Sequence, residues 1–234
     1  MRDDFAHIQS WIFDLDNTLY PFDNGLFAQI DRRMGEFIAR HFGIDPLKAR
    51  RIQKHYFKTY GTTLNGLMTQ HGIKPEEYLD FVHDIDHSSI KPDPALSSAL
   101  TALPGEKIIY TNASASHSKR VLERLGIDGL FDRIYDIAAS GYEPKPCKTS
   151  YERFREQTGI TPQSSIMFED MAGNLEVAHD MGMLTVLVKT GDSHPDSGQG
   201  LLGTGDEPYV DYVTTDLAGF LSAITKKREA YSEI

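Results

Sequence analysis

Six short apolar runs constrain the fold of this 234-residue chain more than any other feature. They occupy residues 8–15, 107–111, 133–137, 165–168, 184–188 and 210–214, and helical patterns lie between most of them. Strands that are apolar along their whole length are typical of parallel sheets, because helices cover both faces of such a sheet. The alternation predicts an α/β fold with a doubly wound, mostly parallel, Rossmann-like sheet.

The alternation is interrupted after the first strand. No strand is evident between Leu15 and Lys107, although a crossover between parallel strands needs only about a dozen residues. Residues 26–38 instead carry apolar side chains at the helical period. Asp45 and Pro46 then have the form of an N-cap and a first-turn proline, and two further helical segments follow. This part of the chain is therefore predicted to be helical throughout.

We expect two domains from this pattern. Residues 21–91 form an inserted all-helical domain, and residues 1–20 together with 92–234 form the α/β core. The segment 88–94 contains two prolines and is the predicted hinge by which the chain returns to the core. The glycine- and serine-rich stretch 192–205 is typical of a long surface loop.

Composition excludes several classes of partner. The formal net charge is −10, so the average field around the protein repels phosphate backbones and anionic lipids, and we expect neither a nucleic acid polymer nor a membrane as partner. Cys147 is the only cysteine, so no intrachain disulfide and no cysteine cluster for zinc is possible. The apolar stretch near the N-terminus is too short for a secretory signal, which favours a cytoplasmic location.

Two acidic pairs follow buried strands. Asp14 and Asp16 come after the first strand, and Glu169 and Asp170 come after the fourth. Either pair alone is compatible with a strand end followed by a turn. The carboxyl ends of parallel strands meet at one edge of the sheet, where ligands bind. Four carboxylates gathered there repel one another unless a divalent cation or raised pKa values relieve the repulsion, and an oxygen-only ligand set suits Mg²⁺.

Two further motifs offer hydrogen-bond donors or a positive charge to an anion. Thr111 and Asn112 end the second strand just before a helix, where a hydroxyl and free N–H groups would bind an anion, or where they would simply cap the helix. Lys145 lies between Pro144 and Pro146, which restrict its backbone. Its ammonium group could neutralise a phosphoryl oxygen, whereas the ordinary alternative is a solvated loop lysine.

These motifs together resemble those of the haloacid dehalogenase superfamily. Their order is DxDxT, then Thr-Asn, then a lysine before a proline, then an acidic pair, and the resemblance extends over nearly the whole chain. The helical insert resembles the cap domain of that superfamily. Residues 13–21 and 167–175 are similar in particular to its pyrimidine 5′-nucleotidase branch.

The resemblance implies a catalytic role for each motif. Asp14 is expected to be the nucleophile that takes up a phosphoryl group. Asp16 is expected to protonate the leaving oxygen and then to deprotonate the hydrolytic water. Thr111 and Lys145 would hold the phosphoryl oxygens, with Asn112 contributing through its main chain. The implied reaction is phosphomonoester hydrolysis through an aspartyl-phosphate.

The resemblance also implies a cofactor and a substrate. Asp170 would bind Mg²⁺ together with the Asp14 carboxylate and the main-chain oxygen of Asp16, and Glu169 would support or share that role. The substrate would be a small phosphate ester, with a pyrimidine nucleoside monophosphate such as UMP or CMP expected from the branch. A sugar phosphate or phosphoglycolate is the alternative.

Other functions stay open at this point. A carbon–halogen hydrolase of the superfamily would lack the second aspartate, so Asp16 argues for phosphate. A phosphomutase would keep it, and a non-catalytic phosphate-binding relative is a third possibility. A signalling receiver domain has the acidic pair first and the lysine last, which is the reverse of the order of Lys145 and Asp170 here. The histidines and aspartates of residues 83–87 are interpreted as a polar hinge, with a metal site as the alternative.

Overall fold

A single parallel sheet of six strands organises the computed structural model, which describes residues 5–189 and 203–232, without the side chains of Asp23 and of residues 228–232. The order is β3-β2-β1-β4-β5-β6, and every neighbouring pair is parallel. The strands are β1 Ser10–Phe13, β2 Glu106–Tyr110, β3 Arg133–Tyr135, β4 Ser165–Glu169, β5 Leu184–Val188 and β6 Tyr212–Thr214. All six predicted strands and the predicted α/β class are confirmed.

The register of β1 determines where the polar motifs meet. Phe13 at the end of β1 lies opposite Ile109 of β2 and Phe168 of β4. The residues that follow these positions therefore leave the sheet at the same edge. Phe13 and Phe168 also stack with ring centroids 4.7 Å apart, which fixes the two strand ends side by side.

Helices cover both faces of the sheet. They are α1 Leu26–Phe42, α2 Pro46–Tyr60, α3 Thr63–His71, α4 Pro75–Val82, α5 Pro94–Ala102, α6 Ala115–Leu125, α7 Lys148–Thr158, α8 Ala172–Asp180 and α9 Leu217–Ser232. Two separate hydrophobic clusters result, one built around Trp11, Phe13 and Phe168 and the other around Ile12 and Met167. Alternate residues of β1 thus face opposite sides, as expected for a strand buried on both faces.

The segment between β1 and β2 is helical, as predicted. Asp45 caps α2 by accepting a hydrogen bond from the Lys48 N–H at 3.0 Å, and α1 ends at Gly43 in the left-handed conformation. Helices α1–α4 share a third hydrophobic cluster, which includes Phe37 and Tyr78. The domain limits at residues 21 and 91 stay a prediction.

Helices α5 and α7 were not predicted from the sequence. The buried residues of α7 are Ser150, Tyr151, Phe154 and Thr158, so half of its buried face is polar and gives no apolar period. No helix in the described ranges is long and apolar enough to cross a bilayer. Most of the expected loop 192–205, namely residues 192–202, lies outside the described residues.

Two glycines with positive φ, one directly before β2 and one at the end of α1, allow a matched test of the packing at the start of β2. A methyl group at Gly105 (φ +86°) would meet the main-chain oxygen of Gln9, whereas one at Gly43 (φ +63°) would meet nothing within 4 Å. We expect Gly43→Ala to lower the free energy of unfolding by about 1–2 kcal/mol, the cost of the left-handed backbone. Gly105→Ala should lower the free energy of unfolding by about 1–3 kcal/mol more than Gly43→Ala does, because the start of β2 must move away from Gln9. Urea denaturation measures both values, and equal losses would contradict the predicted crowding.

Candidate active site

The first site residues directly continue the central strand. The Asp14 N–H donates to the Phe168 carbonyl at 2.9 Å, so Asp14 prolongs the pairing of β1 with β4. Asp14 as a whole is 6% exposed, and its side chain accepts a hydrogen bond from the Thr18 hydroxyl at 3.2 Å. Asp14 is therefore held from two sides at the carboxyl edge of the sheet.

Lys145 is the centre of the buried charge cluster. Its Nζ donates to Asp14 Oδ1 at 2.7 Å, to Glu169 Oε1 at 3.0 Å and to the Tyr110 carbonyl at 2.9 Å. The residue is 2% exposed, so the alternative of a solvated loop lysine is wrong. Burial alone would lower the pKa of Lys145, but attraction to Asp14 and Glu169 raises it above its ordinary value. Lys145 is thus a permanently charged cation next to Asp14.

The loop that carries Lys145 is attached to the end of β2 through Asn112. The Lys145 N–H donates to Asn112 Oδ1 at 2.8 Å, and Asn112 Nδ2 donates to the Lys145 carbonyl at 3.3 Å. The Asn112 side chain is therefore occupied with the loop, which leaves its main chain as the part that could face an anion. Next to it, Thr111 is 2% exposed, and its Oγ1 accepts a hydrogen bond from the Ala113 N–H at 3.0 Å.

Glu169 and Asp170 differ in their surroundings. Glu169 Oε1 accepts from Lys145 and from Asn174 Nδ2, and its Oε2 accepts from the Asp170 N–H at 2.8 Å. Both oxygens of Glu169 are thus engaged by the protein. The carboxylates of Asp14, Glu169 and Asp170 can each offer one oxygen, and these oxygens lie within 4.8 Å of one another.

The electrostatics of this cluster call for an additional cation. Burial and the nearby Glu169 raise the pKa of Asp14 to about 7, although Lys145 opposes the shift. Burial, Glu169 and Asp14 likewise raise the pKa of Asp170 well above its ordinary value. Three carboxylates face one ammonium group, and all ligand atoms are hard oxygens. This donor set fits a divalent cation such as Mg²⁺.

Asp16 has partners that the sequence did not identify. His117 Nε2 lies 2.9 Å from Asp16 Oδ1, and the Tyr20 hydroxyl donates to the same oxygen. Burial would raise the pKa of Asp16, but attraction to His117 and these hydrogen bonds lower it to about 2. The His83 ring stacks on His117 with centroids 4.5 Å apart. No local pattern marks His117, which lies on an amphipathic helix 101 residues from Asp16.

The histidines of residues 83–87 do not form a metal cluster. Asp84 pairs with Arg33, and Asp86 accepts hydrogen bonds from Ser88. His83 and His87 instead turn towards the core and contact His117. The interpretation as a polar hinge fits this arrangement better than the alternative of a metal site.

A cavity of about 460 Å³ joins the charged cluster to the inserted helices. Every site residue predicted from the sequence lines it: Asp14, Asp16, Thr111, Asn112, Lys145, Glu169 and Asp170. The opposite wall comes from α1–α4 and the short turn before α1, and it carries Phe22, Phe27, Phe57 and Lys54. The geometry can therefore hold an anionic group at the sheet edge and a second group beneath the inserted helices.

Comparison with known proteins gives a consistent result. Residues 11–188 match the family model described as haloacid dehalogenase-like hydrolase. Phosphate metabolism protein 8 of Saccharomyces cerevisiae is 28% identical over 191 residues, which are 74% of this chain and 59% of that protein. The chain thus spans less than two thirds of the length of this relative.

Solved structures share the fold at low identity. The HAD phosphatase from Thermococcus onnurineus is 18% identical with a TM-score of 0.58, and the match covers 93% of this chain and 98% of that one. The L-2-haloacid dehalogenase from Xanthobacter autotrophicus is 14% identical with a TM-score of 0.54, covering 94% and 97%. Both likenesses concern the fold alone.

The raised pKa of Asp14 predicts a pH-dependent stability in the absence of divalent cations. The folded state keeps the Asp14 proton up to about pH 7, whereas the unfolded state releases it near the ordinary value of 3.8. The free energy of unfolding should therefore fall as the pH rises through this window, by up to about 1.4 kcal/mol per pH unit. The Asp14→Asn variant, which cannot titrate at this position, should lack this component. Urea denaturation of both proteins in EDTA at about pH 5 and about pH 7 tests it; a difference between them that is independent of pH would contradict the assignment.

Proposed function

The chain belongs to the haloacid dehalogenase-like hydrolase family, and from this premise we propose that it is a magnesium-dependent phosphomonoester hydrolase. The observation that carries the proposal is Asp16, a second carboxylate on the cavity wall beside Asp14. The leaving group of a phosphate ester is an alkoxide or phenoxide that has to be protonated, whereas a halide leaves without a proton. A general acid next to the nucleophile therefore favours a phosphate ester over a carbon–halogen substrate.

The proposed reaction has two steps. In the first, an Asp14 oxygen forms a bond to phosphorus while the ester P–O bond breaks. Asp16 is ionised in the free protein, but the phosphate anion that binds beside it raises its pKa, so that it takes up a proton with the substrate and gives it to the leaving oxygen. In the second, Asp16 takes a proton from water, the water oxygen bonds to phosphorus, and the bond to Asp14 breaks. Lys145 and Thr111 hold the phosphoryl oxygens during both steps. After both steps the enzyme and its protonation state are restored, and phosphate and an alcohol have been released.

The acidic cluster supports a magnesium site. We propose that Asp14, Asp170 and the main-chain oxygen of Asp16 hold the ion, which supplies positive charge to the phosphoryl group when bound. Both oxygens of Glu169 already accept hydrogen bonds, from Lys145 and Asn174 on one side and from the main chain on the other. Glu169 therefore suits a supporting role better than direct ligation.

We further propose a pyrimidine nucleoside monophosphate, UMP or CMP, as the preferred substrate. The inserted helices, which we propose act as a cap, carry nine aromatic residues. Phe27 and Phe57 line the cavity and take no part in the hydrophobic cluster of the insert. Either ring can stack on a base, and Lys54 lies on the same wall, where it is paired with Asp31. The similarity of residues 13–21 and 167–175 to the nucleotidase branch supports this choice, and a sugar phosphate or phosphoglycolate remains the alternative.

The first test concerns the metal and the nucleophile. We expect phosphate release from p-nitrophenyl phosphate near neutral pH to be abolished by EDTA and restored by Mg²⁺. Asp14→Asn should remove turnover, because no covalent phosphoenzyme can form. Asp180→Asn, at the exposed end of α8, is a matched control that should leave turnover unchanged. Activity that survives full chelation, or wild-type turnover in Asp14→Asn, would refute the mechanism.

The second test concerns the leaving group. We expect kcat/KM to be higher for UMP and CMP than for AMP, GMP, ribose 5-phosphate and phosphoglycolate. Phe57→Leu should lower kcat/KM for UMP by about 5- to 150-fold, equivalent to a stacking contribution of about 1–3 kcal/mol, and should affect ribose 5-phosphate less. Tyr60→Leu, on the same helix but away from the cavity, is the control. Equal or better turnover of the phosphates without a base would defeat the nucleotidase proposal and leave the hydrolase proposal intact.

A further inference from the structure

The two oxygens of Asp16 are used very differently. Oδ1 accepts a hydrogen bond from the Tyr20 hydroxyl and lies 2.9 Å from His117 Nε2. Within the described part of the chain, no hydrogen bond reaches Oδ2, although Asp16 lines the cavity. One edge of the carboxylate is thus fixed to the protein, and the other edge is left for the substrate.

The hydrogen-bond partners of His87 determine the tautomers behind Asp16. His87 Nδ1 lies 3.0 Å from the Ile85 carbonyl, which can only accept, so this nitrogen carries a proton. Burial lowers the pKa of His87 to about 4, so its ring is neutral at pH 7 and its Nε2 is an acceptor. His117 Nδ1 lies 3.2 Å from this acceptor and therefore donates to it. His117 Nε2 is left facing Asp16 Oδ1 at 2.9 Å.

The His117 ring has no freedom to leave this position. It is 0% exposed, and the His83 ring is stacked on it with an angle of 16° between the planes. His83 is itself held by a contact of 2.8 Å between its Nδ1 and Ser114 Oγ and by a hydrogen bond from Arg120 to its carbonyl. A ring that is fixed by stacking and by a hydrogen bond to an acceptor on its far side can orient a carboxylate, as a buried partner does for a catalytic group.

We propose that His117 is the positioning residue of the acid/base Asp16, and that His87 fixes its ring in the tautomer this requires. The inference rests on the proposed phosphatase function. His117 does not touch the substrate. It holds Asp16 so that Oδ2 faces the leaving oxygen, and its loss should slow the steps in which Asp16 transfers a proton.

Two amide variants separate this role from a general structural one. The side-chain nitrogen of His117→Asn can take the place of Nδ1 and contact His87, but it does not reach Asp16. The nitrogen of His117→Gln takes the place of Nε2 and can donate to Asp16. Ser118→Ala, which removes another fully buried polar group from the same helix, is the control for damage to the fold.

The leaving group provides the readout. For UMP, whose leaving oxygen needs a proton, His117→Asn should lower kcat/KM by about 10²-fold, the lower limit of the range for acid–base catalysis. For 2,4-dinitrophenyl phosphate, whose leaving group needs almost no proton, the loss should stay within about threefold, because proton transfer contributes little to that barrier. His117→Gln should recover most of the loss, and Ser118→Ala should show none of this dependence.

A double-mutant cycle with Asp16→Asn completes the test. If His117 acts through Asp16, adding His117→Asn to Asp16→Asn should cause no further loss for UMP. Equal losses on the two substrates, or losses that multiply in the double variant, would overturn the proposal. A wild-type protein that releases no phosphate would refute the proposed function and the inference together. If wild type and Asp16→Asn behave as expected, but His117→Asn loses no more kcat/KM than Ser118→Ala, the inference alone is refuted.

Discussion

The rest of the site depends on the contacts of the buried Lys145 ammonium group. Its contacts with Asp14, Glu169 and the Tyr110 carbonyl join the ends of β1, β4 and β2 to the loop that follows β3. Removing one partner of a buried ion pair typically costs about 3–5 kcal/mol, because the remaining charge stays buried without compensation. The same contact neutralises part of the charge on the proposed nucleophile, so stability and chemistry rely on one side chain.

The parallel sheet and the helical insert contribute different parts of the cavity. The sheet edge gathers the charged groups, and its register leaves little freedom in their spacing. The insert supplies an aromatic wall and a separate charged group in which Lys54 and Arg50 contact Asp31 at 3.0 and 2.8 Å. The chemistry at the sheet edge can therefore be kept while the wall opposite changes.

The sequence was sufficient to predict the strands and the position of the polar residues that follow them. The apolar pattern marks the strands, and their parallel order brings the residues after them to one edge. It located Asp14 and Asp170 at one edge without knowledge of any contact. It could not identify His117, whose contact with Asp16 depends on how α6 packs over the sheet and on residues far apart in the chain. The sequence marked residues 83–87 as a polar segment, but their contacts with α6 were not evident, since nothing local indicates that His87 turns inward.

The two histidines that hold His117 lie directly after α4, in the segment that returns from the inserted helices to the sheet. Insert and core are consequently not interchangeable modules. A chimera made by cutting at residues 21 and 91 would exchange the aromatic wall and also remove both imidazole rings behind Asp16. Evolution of a new substrate range by replacement of the insert would need to retain this short segment or to find another support for the acid. Selection on specificity and selection on catalysis therefore meet in the same few residues of this segment.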